Sequence, residues 1–190
     1  LIKSASDLIS EASPNYQYVA ARLLNMSLRK SVWQDVAQEP CLHTHVLQMI
    51  DSGIYDHEIM DNWTPEEVEV LGNYIKHDRD NLFTYSGLQQ LIDKYLIKNR
   101  TTNIIYETPQ LAYMAIAMCL FNKYDDKVKK TKEAYDSYST FKVNLPTPIM
   151  AGARSTIKQF ASCVLVDVED DLDGIFSSLH AVGKYTARRA

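Results

Sequence analysis

The spacing of hydrophobic residues over the first 156 positions is mostly that of helices, because apolar residues recur every three to four positions. Ser13 and Pro14 form a helix-start signal, with Ser13 as the cap and Pro14 at the first helical position. The helix that follows is predicted to turn five residues inward, namely Tyr16, Val19, Ala20, Leu23 and Leu24.

Three later segments continue the helical pattern. Residues 64–67, Thr-Pro-Glu-Glu, have the spacing of a capping box with proline at the first helical position. Thr108 and Pro109 give a similar start to the most apolar segment, residues 111–121, which we expect at the centre of the core. Residues 128–138 predict one more helix after a charged turn.

A short interruption is predicted in the middle of the chain. Ser86 is expected to cap a helix over residues 88–95. Residues 96–99 and 104–107 then flank the sequence Arg-Thr-Thr-Asn, which favours a small β-hairpin. Asn103 is expected to adopt the left-handed conformation at its turn.

The pattern changes near residue 157. Residues 160–168 are dense in apolar and β-branched residues and predict a buried strand. Asp170 and Asp171 are placed to cap a following helix. Four apolar residues share one face of that helix: Ile175, Leu179, Val182 and Tyr185. Because a strand followed by a helix is the opening unit of an α/β barrel, we predict a mainly α-helical domain over 1–156 and an incomplete barrel unit over 157–190.

Both termini have the pattern of helices that continue further. Residues 2–9 have helical spacing without a cap before them, and the pattern of residues 177–190 stops without a Gly or Asn cap. We therefore expect a piece of a longer or naturally split polypeptide. The alternative is a small complete protein with frayed termini.

Composition excludes several classes of function. The net charge of −4 gives no basic surface for nucleic acid, and no apolar run approaches the ~20 residues that span a bilayer. The three cysteines, at positions 41, 119 and 163, form neither a CxxC motif nor an even-numbered disulfide framework. The sequence thus predicts a soluble cytoplasmic chain without a membrane or nucleic-acid partner.

Two adjacent motifs indicate chemistry. In Leu-Pro-Thr-Pro at 145–148, Thr147 lies between two prolines that restrict its backbone, so its hydroxyl can be held in one place. In Phe-Ala-Ser-Cys-Val-Leu at 160–165, Cys163 lies in an apolar run, where a rigid element would control the geometry of a reactive sulfur.

Residues 139–165 closely resemble the start of the catalytic barrel in the large (α) subunit of class I ribonucleotide reductase. Other segments resemble the same family in the same order: residues 16–23, 28–30, 77–80, 94–96 with Asn99 and Arg100, and 119–121. In that family the barrel has ten strands.

The resemblance implies an oxidoreductase that converts ribonucleoside diphosphates to deoxyribonucleoside diphosphates for DNA synthesis. It puts Cys163 in the role of one thiol of the reducing dithiol and puts Thr147 and Ser162 beside the substrate. Ala161 departs from the Ser often found at that position in the family. The family also implies a radical from a metal-containing small subunit and a thioredoxin- or glutaredoxin-type reductant. Since the second reducing cysteine, the radical cysteine and the finger-loop acid are absent, we expect this chain alone to be inactive and to bind no cofactor.

The resemblance also implies allosteric control. Asp170, Asp171 and Leu172 match residues that bind a nucleoside triphosphate effector, with Mg²⁺ screening its phosphates. Because that site lies where two large subunits meet, the apolar face of the last helix is expected to be a homodimer surface. The alternative function is a non-catalytic module that dimerises or complements a split reductase subunit.

No metal site is expected. Glu169, Asp171, Asp173 and Gly174 imitate the first half of an EF-hand loop, but the twelfth position is His180 rather than Glu.

Three further polar clusters are given structural interpretations. Cys41, His43 and His45 are expected at a solvated helix start, and residues 77–80, His-Asp-Arg-Asp, in a structural charge cluster. Cys119 is expected to be a packed core thiol.

Overall fold

The computed structural model describes residues 1–33, 38–99, 101–158, 160–161 and 163–187. Within these ranges the chain is mainly helical, which confirms the predicted class. The α-helices are α1 (Ile2–Ser6), α2 (Tyr16–Trp33), α3 (Leu42–Asp51), α4 (Pro65–Gly72), α5 (Tyr85–Lys94), α6 (Pro109–Phe121), α7 (Lys127–Ser139), α8 (Thr147–Gly152) and α9 (Leu172–Ala187). Two 3-10 helices, His57–Met60 and His77–Leu82, lie before α4 and α5.

Helix α6 is the centre of the core, as its composition predicts. It is apolar on all sides, and its residues from Pro109 to Met118 are buried. Helix α7 packs along it, and both 3-10 helices contact it. Helices α1, α2 and α5 form a neighbouring layer, and α3 packs on α4.

The start of α4 confirms the capping box, because Glu67 N donates to Thr64 Oγ1 at 3.3 Å and Thr64 N donates to Glu67 Oε2 at 2.9 Å. The predicted cap of α5 is wrong by two residues. Thr84 has the extended backbone of a capping residue, and its Oγ1 accepts from Gly87 N at 3.2 Å, so Ser86 lies inside the first turn.

The buried face of α2 differs in part from the prediction. Ala20 is buried as expected, but Tyr16 and Val19 are 39% and 44% exposed. The helix begins at Tyr16, and the stripe that packs inward runs through Ala21, Asn25 and Leu28 instead.

The β-hairpin is not confirmed. Between residues 96 and 107, the described part of the chain has one isolated antiparallel bridge, Lys98 to Ile105, rather than two strands. Two backbone bonds join the flanking segments, from Asn99 N to Ile104 O at 2.8 Å and from Tyr106 N to Ile97 O at 3.1 Å. Within the loop, Asn99 Oδ1 accepts from the amides of Thr101 and Thr102. Asn103 does have a left-handed backbone, with φ of 57°.

The barrel-opening unit is not confirmed either. Helix α9 forms, and Asp171 caps it by accepting from Gly174 N at 2.7 Å. Among the described residues from 160 to 168, however, no strand forms, and Leu165 is 99% exposed. A strand needs a neighbouring strand to pair its backbone groups, and the described ranges supply none here.

Candidate functional site

Thr147 is the first residue of α8 rather than part of an isolated turn. Pro146 gives the extended backbone before the helix, with φ of −66° and ψ of 151°, and Pro148 fits the first helical turn because its missing N–H is not needed there. The Thr147 side chain is exposed, and its Oγ1 lies 3.2 Å from the hydroxyl of Tyr95. The sequence ARST after α8 then leads into the segment that carries Cys163.

A buried ion pair lies directly behind α8. The side chains of Glu107 and Arg154 are both 0% exposed. Arg154 Nε donates to Glu107 Oε2 at 2.9 Å, and its Nη2 also contacts Glu107 Oε1. Burial lowers the pKa of Arg154, but the Glu107 carboxylate raises it by more. The pKa of Arg154 therefore lies above its ordinary value. Arg154 is thus charged in the folded chain.

The ion pair connects three parts of the chain. Arg154 Nη1 donates to Met150 O in α8 at 2.6 Å, and its Nη2 donates to Tyr95 O at 3.0 Å. The Tyr55 hydroxyl donates to Glu107 Oε2 at 2.5 Å, and burial together with this carboxylate raises the Tyr55 pKa well above its ordinary value. Ile97 N also donates to Glu107 Oε1, so six polar contacts satisfy two charges that would otherwise be costly to bury.

Sequence reasoning missed this pair. The available signal was the occurrence of single charges in apolar surroundings: Glu107 directly before the Thr-Pro start of α6, and Arg154 within the sequence Met-Ala-Gly-Ala-Arg. A charge in such a run indicates a buried partner, although the pattern does not say which residue that partner is.

A cavity of about 550 Å³ opens beside Thr147. Its walls include Tyr95, Tyr113, Phe141, Leu145 and Met150. Its volume lies in the range of small-molecule sites. Phe141 has a φ of 59°, which is unusual for a bulky residue, and its ring packs against Phe83 with centroids 4.8 Å apart.

Cys163 is exposed on the extended segment before α9. Its neighbour Ser162 lies outside the described residues. The segment is held to α9 by Ser178 Oγ, which donates to Asp167 O at 2.9 Å. In the described ranges, no hydrogen bond joins this segment to Thr147 or α8.

The other two thiols differ from Cys163. Cys119 packs against the core, and burial raises its pKa to about 12, which confirms the prediction of a core thiol. Cys41 is exposed at the start of α3, where the backbone N–H of Thr44 lowers its pKa.

At the start of α9, Asp171 is engaged as the helix cap, whereas Asp170 and Leu172 are exposed to solvent. The predicted apolar face of α9 is present but uncovered: Leu179 is 65% exposed, and Ile175 and Val182 are about half exposed. Such a face is unusual for a surface that contacts only water.

The two histidine clusters are structural. The expected solvated helix start is wrong for His45, which is buried edge-on against Tyr55 with ring centroids 6.0 Å apart. The charge cluster at residues 77–80 is confirmed. Asp80 accepts from Gln110 Nε2 at 2.9 Å and pairs with Arg29, and burial raises its pKa to about 6.

Two further classes of site are absent from the described ranges. These residues contain no group of three or more His, Cys, Asp or Glu side chains that could hold a metal ion. Nor do they include a helix that is both long and apolar enough to cross a membrane.

Comparison with known proteins identifies the relatives of this chain. Residues 81–157 match the family described as ribonucleotide reductase, all-alpha domain. The whole chain is 44% identical over 192 residues to ribonucleoside-diphosphate reductase 1 subunit alpha of Escherichia coli (strain K12). It is 45% identical over 192 residues to the alpha subunit of Buchnera aphidicola subsp. Baizongia pistaciae and 42% identical over 191 residues to that of Enterobacteria phage T4. The chain spans 25% of the length of each of these relatives.

Proposed function

Because the chain belongs to the ribonucleotide reductase large-subunit family, we propose that it is a fragment of such a subunit, one that reduces ribonucleoside diphosphates to deoxyribonucleoside diphosphates. The observation that carries this proposal is identity of 44% along the entire chain. We assign residues 1–156 to the helical domain and residues 157–190 to the first strand and helix of the catalytic barrel. The strand would form against neighbouring strands of that barrel.

Cys163 is proposed as one of the two reducing thiols. In the overall reaction, the two thiols are oxidised to a disulfide, the ribose 2′ C–O bond is replaced by C–H, and the hydroxyl leaves as water. The second thiol would come from elsewhere in the subunit, and the small subunit would supply the radical that activates the sugar. The resemblance of residues 160–165 to the family supports this role, and a thioredoxin- or glutaredoxin-type protein would return the disulfide to two thiols by thiol–disulfide exchange.

Thr147 and Ser162 are proposed to bind the substrate through their hydroxyls. For Thr147, the supporting observations are its exposure and the cavity of about 550 Å³ beside it. We place the complete enzyme in the cytoplasm.

The complete subunit, assayed with the radical-generating subunit and a dithiol, is expected to convert CDP to dCDP. The isolated 190-residue chain should form no dCDP in the same assay, because it lacks a second reducing thiol near Cys163. Product is measured by chromatography of labelled nucleotide. Absence of conversion by the complete subunit would contradict the proposed activity, and conversion by the isolated chain would contradict the assignment of Cys163 to a thiol pair.

Asp170, Asp171 and Leu172 are proposed to bind a nucleoside triphosphate effector with its Mg²⁺ at a dimer interface. Asp170 is the better candidate for a direct contact, because the Asp171 carboxylate already caps α9. The uncovered apolar face of α9 supports the interface, and an effector bound there would favour the dimer by mass action.

Asp170→Ala in the complete subunit should weaken both dTTP-driven dimerisation and dTTP-stimulated GDP reduction. Unstimulated CDP reduction should change little, because Thr147, Ser162 and Cys163 are intact. Sedimentation velocity with and without dTTP, run beside the turnover assay, measures both effects. Asp173→Ala is the matched control, and an effector response in Asp170→Ala equal to that of the control would place the site elsewhere.

The uncovered face of α9 also favours the second candidate function, a module that only dimerises or complements a split subunit. The two functions differ in whether the associated polypeptide carries the further cysteines that the reduction requires.

A further inference from the structure

We propose that Tyr95, held by the buried Glu107–Arg154 pair, positions the hydroxyl of Thr147 for substrate binding. The inference rests on the proposed function, since it gives a partner to a residue assigned there to the substrate. Tyr95 would not touch the substrate itself. Its role would be to orient the group that does.

The direct link is the contact of 3.2 Å between the Tyr95 hydroxyl and Thr147 Oγ1. A phosphate oxygen accepts hydrogen bonds, so Thr147 must donate its only hydroxyl proton to bind one. Thr147 can then accept from Tyr95 at the same time. The arrangement forms a relay in which Tyr95 donates to Thr147 and Thr147 donates to the substrate.

The indirect link is Arg154. The guanidinium of Arg154 donates through Nη2 to the carbonyl of Tyr95. Through Nη1 it donates to the carbonyl of Met150, which lies within α8. It therefore fixes the backbone of Tyr95 relative to the helix that begins with Thr147. Glu107 holds the guanidinium in place and also accepts from Ile97 N at 2.7 Å, two residues after Tyr95.

The surroundings of the Tyr95 ring explain why its hydroxyl contact matters. The ring forms part of the wall of the cavity beside Thr147 and also of a second cavity of about 470 Å³, which reaches Ser155 and Ile157. Tyr95 is partly buried where it packs against the core, and its hydroxyl lies at the exposed Thr147. The hydrogen bond to Thr147 adds a restraint at the end of the side chain that packing holds least.

The test is Tyr95→Phe in the complete subunit, which removes one oxygen and keeps the ring. The KM for CDP should rise about 3- to 10-fold, the range expected for one net hydrogen bond, while kcat stays within about twofold. Amide hydrogen exchange over residues 147–152 should become faster. Thr147→Val should raise the KM by more, because it removes the donor to the substrate as well as the contact with Tyr95. Adding Tyr95→Phe to Thr147→Val should then change the KM little, since that contact is already lost.

Tyr74→Phe is the matched control, because it removes a hydroxyl that donates to Asp136 Oδ2 at 2.6 Å, a contact that does not involve Tyr95 or Thr147. It should leave both the KM and the exchange of residues 147–152 unchanged. If amide exchange over residues 147–152 is unchanged in Tyr95→Phe, the positioning role is overturned whatever the activity. If exchange becomes faster but the KM for CDP is unchanged, the link between Tyr95 and the substrate is overturned. Failure of the proposed function has a different signature: the unaltered subunit itself would not convert CDP.

Discussion

Replacement of Arg154 with Met should lower the free energy of unfolding by about 3–5 kcal/mol, the usual cost of removing one member of a buried ion pair. The substitution leaves the Glu107 carboxylate buried without its counter-charge, and it removes the bonds to Met150 O and Tyr95 O. Equilibrium urea unfolding of the 190-residue chain measures the loss. The buried Trp33 and Trp63 provide the fluorescence signal.

Arg79→Met is the control for that measurement. Arg79 also pairs with a carboxylate, Asp136, but both side chains are partly exposed, so the loss should be only about 0–1 kcal/mol. The double change Glu107→Leu with Arg154→Met should cost less than Arg154→Met alone, because it leaves no unpaired charge. A loss of less than about 1 kcal/mol for Arg154→Met would show that the pair does not hold these elements together.

Replacement of Cys163 with Ser should abolish dithiol-dependent turnover of the complete subunit. A hydroxyl fits the position of a thiol, but it cannot form the disulfide that carries away the two electrons. The thermal stability should hardly change, because serine and cysteine differ by a single atom and have nearly the same shape. Turnover of CDP with a thioredoxin-type reductant and the melting temperature are the two measurements.

Cys41→Ser is the matched control, since Cys41 is also exposed and also has a free thiol. It should retain the turnover of the unaltered subunit. Multiple turnovers in Cys163→Ser at the rate of the Cys41→Ser variant would exclude Cys163 from the reaction.

Two local signals in the sequence gave correct predictions, whereas the predicted start at residues 13–14 was wrong because α2 begins at Tyr16. The capping box at Thr64 and the Thr-Pro start of α6 each depend on residues within four positions, so the pattern contains all the information needed. The largely apolar composition of α6 likewise indicates burial whatever packs around it. The predicted start of α5 was wrong because two residues with hydroxyl groups, Thr84 and Ser86, lie close together. Only the backbone geometry shows which of them caps the helix.

Predictions that depend on distant partners were less successful. The strand over residues 160–168 requires a neighbour that the described chain does not provide, so its apolar pattern alone does not produce a strand. The Glu107–Arg154 pair joins residues 47 positions apart, and no periodicity reports such a pairing. The candidate site residues Thr147, Cys163 and Asp170 came from the family resemblance, because their local patterns also suit ordinary turns, strands and caps.

The position of Arg154 sets the smallest piece of this polypeptide that could be expressed with its core intact. A truncation before residue 154 would remove the counter-charge of Glu107 and the main-chain bond from Asp56 N to Arg154 O, while keeping every residue of α6 and α7. Extension to Lys158 adds its ion pair with Asp56 at 3.2 Å. Deletion boundaries for the helical region alone should therefore fall after Lys158, even though the last helix of that region ends at Gly152.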